Sequence, residues 1–286
     1  GGALYGERTG YTVNDSRFDG NKASENGGAV YVEYTDMAVN NSTFSTNDAG
    51  VSGGAIYAKD AKNLTISKST FTDNEAEDNG GAIMAMSDSD GGTRKQIFTV
   101  SESSFDKNIA ADKGGAIAWL QVEENEKGNQ FLDVSLSTFT NNEAREYGGA
   151  IAAESDARIA DSDFIGNKAR RNENGRYGNG GAIYAKRSLS VDESYFENNI
   201  AEGSGGAIYT DNYGINLQGL ASAQDLSRSI TRSTFKGNQA SKGGAIAILT
   251  ETDFEPVKTV IDQNTFENNT ATQSGGAIQA EDDVSI

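Results

Sequence analysis

Residues 52–58 read SGGAIYA, and the tetrapeptide inside this stretch, Gly-Gly-Ala followed by an aliphatic residue, recurs along the whole chain. A motif that returns every 25–38 residues marks the unit of a repeat architecture, so it decides the fold before any single residue does. The copies begin at Gly1, Gly27, Gly53, Gly80, Gly114, Gly148, Gly180, Gly205, Gly243 and Gly275.

A second motif alternates with the first: Ser-x-Phe, with an asparagine three residues after the phenylalanine. We expect the phenylalanines to point inward and stack from one unit to the next, and the asparagine amides to form a hydrogen-bonded ladder. The phenylalanines are Phe18, Phe44, Phe71, Phe105, Phe139, Phe164, Phe196, Phe235 and Phe266. The asparagines are Asn21, Asn47, Asn74, Asn108, Asn142, Asn167, Asn199, Asn238 and Asn269.

Upstream of each phenylalanine, apolar residues usually alternate with polar ones, as Leu64 and Ile66 do before Phe71. Alternation with a period of two predicts a strand, and each unit then holds three short strands separated by turns. Strands that pair with their own copies one unit away form an all-β, single-stranded parallel β-helix, here of about nine to ten coils. The general preference for right-handed crossovers predicts right-handed winding.

Composition excludes several classes of function. The chain of 286 residues carries a net charge of −18, which opposes binding to nucleic acid or to anionic membrane surfaces. Because it has neither cysteine nor histidine, we expect no disulfide, no metal and no cofactor. No apolar run is long enough to span a bilayer, so we expect no direct membrane insertion of this segment. The start on Gly1, without a signal peptide, indicates one β-helix domain over residues 1–286 taken from a longer chain.

Length variation is concentrated in loops, which a β-helix carries at small entropic cost and on which binding residues tend to lie. Asp211, Asn212 and Tyr213, at the start of the longest insertion, are therefore candidate partner-binding residues. The insertions are residues 87–96, 121–130, 211–227 and 250–258, with residues 170–179 lengthening a different turn.

Tyrosine often follows the inward aliphatic residue of the first motif, and strand alternation places it on the outer face. We expect an exposed ridge of rings whose main role is to stabilise the sheet by stacking, and such a ridge is also able to bind a sugar or a protein. The ridge candidates for partner binding are Tyr5, Tyr31, Tyr57, Tyr184 and Tyr209.

Catalytic signals are weak. The string Gly50-Val51-Ser52-Gly53-Gly54 fits the pattern of a nucleophile elbow, but that site needs a histidine, which this chain lacks. Residues 87–91 resemble half of a calcium loop without the glutamate that completes it. Charged residues that would serve a polysaccharide lyase or hydrolase are Asp88, Asp90, Arg94, Lys95, Glu123, Glu124, Glu126, Arg187, Asp282 and Asp283.

The two alternating motifs, GGA-aliphatic and Phe-x-x-Asn, cover essentially the entire chain and resemble the passenger repeats of the polymorphic membrane proteins, autotransporter adhesins best known from Chlamydia. The resemblance implies a secreted, extracellular β-helix at the bacterial cell surface, anchored to the outer membrane through a C-terminal region missing here, with a role in virulence. It also implies cell adhesion through a host-cell surface protein or glycan.

We therefore expect a non-enzymatic adhesin segment that attaches to host cells or to another surface partner. Two alternatives stay open. One is a polysaccharide-active β-helix enzyme, and the other is a passive structural spacer or a self-associating surface protein, since open strand edges favour pairing between copies.

Overall fold

The computed structural model describes residues 1–87, 95–121, 130–212, 226–249, 257–281 and 283–286. Within these ranges the chain forms strands joined by turns and bends, and no helix is long and apolar enough to cross a membrane. The strands form four sheets in which every pairing is parallel and joins a strand to its copy in the next coil. The predicted parallel β-helix is confirmed.

Sheet A contains the GGA-aliphatic motif. Its inward aliphatic residues are fully buried from Val30 to Ile246, and neighbours such as Ile117 and Ile151 lie opposite each other in the strand register. Its strands are β1 (Leu4–Glu7), β5 (Val30–Glu33), β9 (Ile56–Lys59), β13 (Ile83–Ser87), β17 (Ile117–Gln121), β21 (Ile151–Ala153), β25 (Ile183–Ala185), β29 (Ile208–Thr210), β33 (Ile246–Ile248) and β37 (Ile278–Ala280).

Sheet B contains the alternating segments. In β10 the apolar residues Leu64 and Ile66 are buried while their polar neighbours are half-buried, as period two predicts. Its strands are β2 (Tyr11–Asn14), β6 (Met37–Asn40), β10 (Asn63–Ser67), β14 (Gln96–Ser101), β18 (Gln130–Ser135), β22 (Asp156–Ala160), β26 (Leu189–Asp192), β30 (Arg228–Thr231), β34 (Thr259–Asp262) and β38 (Val284–Ser285).

Sheet C contains the Ser-x-Phe motif. Its phenylalanine rings form one continuous stack, with neighbouring ring centroids 4.7–5.1 Å apart and ring planes within 10° of parallel. Its strands are β3 (Arg17–Asp19), β7 (Thr43–Ser45), β11 (Thr70–Thr72), β15 (Ser104–Asp106), β19 (Thr138–Thr140), β23 (Asp163–Ile165), β27 (Tyr195–Glu197), β31 (Thr234–Lys236) and β35 (Thr265–Glu267).

Sheet D is a fourth sheet that the sequence did not predict. Most of its strands have only two residues, of which the second is an alanine such as Ala144, fully buried. Its strands are β4 (Lys22–Ala23), β8 (Asp48–Ala49), β12 (Glu75–Ala76), β16 (Ile109–Ala110), β20 (Glu143–Ala144), β24 (Lys168–Ala169), β28 (Ile200–Ala201), β32 (Gln239–Lys242) and β36 (Thr270–Ser274).

Asparagine side chains between sheets C and D link the coils. The Asn142 amide nitrogen donates to Asn167 Oδ1 of the next coil at 3.0 Å and to the Phe105 carbonyl of the preceding coil at 3.0 Å. Its own Oδ1 accepts from the side-chain amide and the backbone N–H of Asn108. Along the column the amide-to-Oδ1 distances are 2.8–3.0 Å. We call this column the asparagine ladder; each internal member ties three coils together.

Among the described residues, every full coil turns at three or more residues with a positive φ. In one coil these are Leu136 (φ 49°), Asn141 (φ 55°) and Gly148 (φ 66°). The second glycine of the pair is required for a different reason, because a Cβ on Gly149 would lie 2.1 Å from the carbonyl oxygen of Gly181 in the next coil. The glycine pair thus combines a corner with close backbone contact between coils.

Replacement of Phe139 by alanine should lower the free energy of unfolding by about 3–5 kcal/mol, because it leaves a cavity in the closed phenylalanine stack and removes contacts with the rings on both sides. Urea unfolding followed by circular dichroism measures this loss. Leu136→Ala is the matched control: Leu136 lies in the same coil and is 61% exposed, so it should cost less than about 1 kcal/mol. Equal losses for the two variants would contradict the stacked-ring core.

Candidate functional site

The five candidate tyrosines lie on the outer side of sheet A, in different environments. Tyr5 is 60% exposed and Tyr31 is half-buried, whereas Tyr57, Tyr184 and Tyr209 are only 5–7% exposed. The first three rings stack, with centroids 5.4 and 5.1 Å apart. The expectation of an exposed ridge is therefore wrong for Tyr57, Tyr184 and Tyr209.

These rings are buried because the outer face of sheet A carries apolar clusters of its own, separate from the core inside the coil. Tyr57 packs with Met84 and Ala118, and the partly buried Met86 and Leu120 lie against them. Facing outward from a strand therefore does not mean facing solvent at this sheet.

A second outer cluster lies further along the same sheet. It contains Tyr184 and Tyr209 between Ala152 and Ala247, with Tyr147 packed against it. The alanines on both sides of the two tyrosines are small and leave room above the sheet. The ring of Tyr147 lies in this space, against the rings of Tyr184 and Tyr209.

Asp211 and Asn212 are buried rather than displayed, at 7% and 3% exposure. The Tyr184 hydroxyl donates to the Asp211 carboxylate at 3.3 Å, and the Arg228 guanidinium donates to the Asp211 carbonyl at 3.0 Å. Asp211 therefore positions the wall of the outer cluster. The third predicted loop residue, Tyr213, lies outside the described residues.

The outer cluster opens into a cavity of about 640 Å³ walled by Tyr147, Tyr177, Tyr184 and Tyr209, which we call the tyrosine pocket. The Tyr147 ring is 5.0 Å from Tyr177, 4.6 Å from Tyr184 and 6.4 Å from Tyr209, measured between centroids. The volume of the tyrosine pocket is in the range of small-ligand sites. It is a concave aromatic surface suited to a flat or cationic group.

The coil repeat positions Tyr147. This residue directly precedes Gly148, and isolated backbone bridges connect it to Lys113 and Asn179, which occupy the same place in the neighbouring coils. The chain carries Asn, Ser or Lys at this place in the other coils that have a residue before the glycine pair. A tyrosine here is thus a local departure from the repeat.

The insertion at residues 170–179 positions Tyr177. The Asn172 side-chain amide donates to Glu146 Oε1 at 2.9 Å, and the Gly178 N–H donates to the Glu146 carbonyl at 2.8 Å. These contacts fold the insertion back beside Tyr147, where Tyr177 forms the outer rim and is 41% exposed.

Carboxylates exceed ammonium groups around the tyrosine pocket. The acidic lining residues are Glu146, Glu154, Asp211 and Glu281, and the basic ones are Lys113 and Lys186. The Lys113 ammonium lies 2.8 Å from Glu154 Oε1 and 5.8 Å from the centroid of the Tyr147 ring. The pocket already holds one ammonium group between a ring and a carboxylate.

The same environment shifts the titration of the pocket residues. Burial, and next the nearby Asp211 carboxylate, raise the pKa of Tyr147, Tyr184 and Tyr209. Burial lowers the pKa of the Lys113 ammonium, but the ion pair with Glu154 outweighs it and raises that pKa overall. At neutral pH the phenols are therefore protonated and the lysine is charged.

Sequence reasoning found Tyr184, Tyr209 and Asp211 but missed Tyr147 and Tyr177. A signal for both was present in the sequence and was overlooked. When the repeats are aligned, Tyr147 replaces a polar residue just before the glycine pair, and Tyr177 lies in the one long insertion between a phenylalanine and the next glycine pair. Tyr5 and Tyr31 lie near the other end of sheet A and do not line this pocket.

The catalytic alternatives find little support among the described residues. Ser52 is 5% exposed in a repeat turn, where its hydroxyl oxygen accepts the Asn79 backbone N–H at 3.3 Å. Arg187 is buried and paired with Asp156 at 3.4 Å. The described ranges hold no cluster of three or more acidic side chains placed to bind a metal ion. The other proposed residues, apart from Lys95 and Asp283, lie outside those ranges: Asp88, Asp90, Arg94, Glu123, Glu124, Glu126 and Asp282.

Comparison with known protein families gave one match that covers more than half of the chain. The matching family model is the Chlamydia polymorphic membrane protein repeat, found at residues 15–33, 41–59, 68–85, 102–118, 137–154, 161–186, 193–211, 232–248 and 265–281. No curated protein and no solved structure matched the chain.

A short column of acids runs beside the tyrosine pocket. The Asp112 backbone N–H donates to the Asp78 carbonyl of the preceding coil at 2.8 Å. The Glu146 backbone N–H, one coil further along, donates to the Asp112 carbonyl at 2.8 Å. Burial, and then the charges of Glu146 and Asp78, raise the pKa of Asp112 to about 6.

The shifted carboxyl of Asp112 predicts a pH dependence. Because its pKa is higher in the folded chain than in the unfolded one, the folded chain binds more protons between about pH 4 and pH 6, and stability falls as the pH rises through this window. Asp112→Asn should therefore raise the free energy of unfolding at pH 7.5 by about 1 kcal/mol, a value reduced for partial exposure. It should also flatten the profile of stability against pH.

Thermal and urea unfolding at several pH values measures this effect. Glu77→Gln, an exposed carboxylate substitution one coil away, should leave the profile unchanged. A profile of stability against pH for Asp112→Asn that matches that of the parent chain would show that the charge of Asp112 does not destabilise the fold.

Proposed function

Because this chain belongs to the Chlamydia polymorphic membrane protein family, we propose that it is an extracellular passenger segment, displayed on the bacterial surface, that attaches the bacterium to a host-cell surface partner. The observation that carries the proposal is the match of nine successive segments to the family repeat. Each segment falls on one coil of the β-helix, from the Ser-x-Phe strand to the next GGA strand.

The fold is suited to display. Phenylalanine stacking and the asparagine ladder connect each coil to its neighbours, so successive coils form a continuous stack that holds its surface features in fixed relative positions. One core cluster of buried side chains runs from Val13 to Ile261. A scaffold of this kind presents binding groups without having to order them on contact, which lowers the cost of association.

Binding without turnover agrees best with the described surface. The aromatic and acidic groups of the tyrosine pocket form a recognition surface, while Ser52 and Arg187 serve turns and ion pairs of the scaffold. The attachment site we propose is therefore the tyrosine pocket, where the repeat pattern is broken.

Adhesion of beads coated with the purified segment to cultured epithelial cells tests this function. We expect more beads per cell than with an unrelated acidic protein. The double variant Tyr147→Asn, Tyr209→Ala should reduce attachment by roughly half or more, because interface energy concentrates in a few aromatic residues. Both substitutions copy residues found at the same coil position elsewhere in the chain, at Asn179 and Ala247.

Tyr5→Ala is the matched control. Tyr5 belongs to the same outer column of sheet A but lies several coils from the pocket, so attachment should be unchanged. If the parent segment attaches no better than the unrelated protein, this part of the chain is a spacer rather than an adhesive segment.

A further inference from the structure

The chemistry of the tyrosine pocket narrows the class of ligand. Four rings line it, and aromatic faces attract cations through the negative potential above the ring. Tyr184 and Tyr209 are only 5–7% exposed because Tyr147 packs over them, so the accessible ring surface belongs to the half-buried Tyr147 and to Tyr177, which is 41% exposed and has its centroid 5.0 Å from that of Tyr147.

The charge balance selects the same class. Four carboxylates and two ammonium groups line the pocket, and one ammonium group, that of Lys113, is already paired with Glu154. Glu281 makes no ion pair among the described residues, and Glu146 accepts a hydrogen bond from the neutral Asn172 amide. An incoming anion would meet net repulsion, and an incoming cation would meet attraction.

The chain itself shows how a cation is held there. Lys113 places its ammonium 5.8 Å from the Tyr147 centroid and 2.8 Å from a carboxylate oxygen. The more exposed rings of the pocket, Tyr147 and Tyr177, line it together with the carboxylates of Glu146 and Glu281, and they offer a second cation the same kind of contacts, a ring and a carboxylate.

We propose that the tyrosine pocket binds the side chain of a lysine or arginine presented by a partner protein. A cavity of about 640 Å³ has room for the whole side chain and part of its backbone. The net charge of −18 on the chain would draw a basic partner surface toward it. The choice of a protein as the source of the cation rests on the proposed function, whereas the preference for a cation rests on the pocket alone.

Calorimetric titration of the folded segment with short capped peptides tests the proposal. The probes are Gly-Ser-Lys-Ser-Gly, its arginine counterpart and its glutamine counterpart, with methyl glucoside and tetramethylammonium as further probes. We expect the lysine and arginine peptides to bind in a salt-dependent way and the glutamine peptide and the sugar to bind at least about tenfold more weakly.

Variants locate the site. Tyr147→Asn and Tyr209→Ala should each weaken binding of the lysine peptide by about three- to thirtyfold, and Glu281→Gln should weaken it by about two- to fivefold. Tyr5→Ala and Glu77→Gln should have no effect. Unchanged circular dichroism spectra and melting temperatures of the pocket variants would separate loss of binding from loss of folding.

Three results would overturn the proposal. Equal affinity for the lysine and glutamine peptides, or tighter binding of methyl glucoside, would show that the pocket does not select a cation. Tighter binding of tetramethylammonium than of the lysine peptide would assign the pocket to a small organic cation instead of a protein side chain. Because no cells are used, these outcomes are independent of the adhesion experiment.

Discussion

The asparagine ladder is the interaction on which the rest of the molecule depends. Each internal amide is fully buried, bonds to the asparagine of the next coil and to a phenylalanine carbonyl of the preceding coil, and accepts from the preceding asparagine. A buried amide that lost these partners would cost several kcal/mol, so adjacent coils have one favourable register. The phenylalanine stack and the aliphatic columns follow from that register, because each side chain then lies directly above its copy.

The same register explains how the tyrosine pocket arises on a repetitive scaffold. Side chains at one coil position are neighbours in space, so a single substitution in the repeat changes a defined place on the surface. Tyr147 lies above its own coil's Ala152 and reaches the rings of Tyr184 and Tyr209 in the following two coils. The insertion at residues 170–179 adds Tyr177 from the turn of the next coil. The scaffold and the tyrosine pocket are therefore encoded at different positions of the same repeat.

Most of the scaffold was predictable because it is repeated, and repetition makes weak signals strong. The phenylalanines, asparagines and glycine pairs each mark an interior contact that every coil must make. Sheet D was missed because two residues, such as Lys22–Ala23, are too few to show alternation. The burial of Tyr57 and Tyr209 was missed because alternation predicts which side of a strand a residue faces, and not what covers that side. Tyr147 and Tyr177 break the repeat pattern in the sequence, but only the structure shows that their rings meet.

The most direct test of the ladder is a comparison of two adjacent substitutions, Asn199→Asp and Asn198→Asp, by thermal unfolding at neutral and acidic pH. Asn199 is fully buried in the ladder, and its amide donates to Asn238 and to the Phe164 carbonyl, whereas Asn198 is an exposed corner residue. At pH 7.5 we expect a loss of several kcal/mol for Asn199→Asp only, because a carboxylate there faces two acceptors without a proton to donate. Partial recovery is expected at low pH, where the carboxyl is protonated. Equal melting temperatures for both variants at neutral pH would show that the asparagine ladder does not hold the coils together.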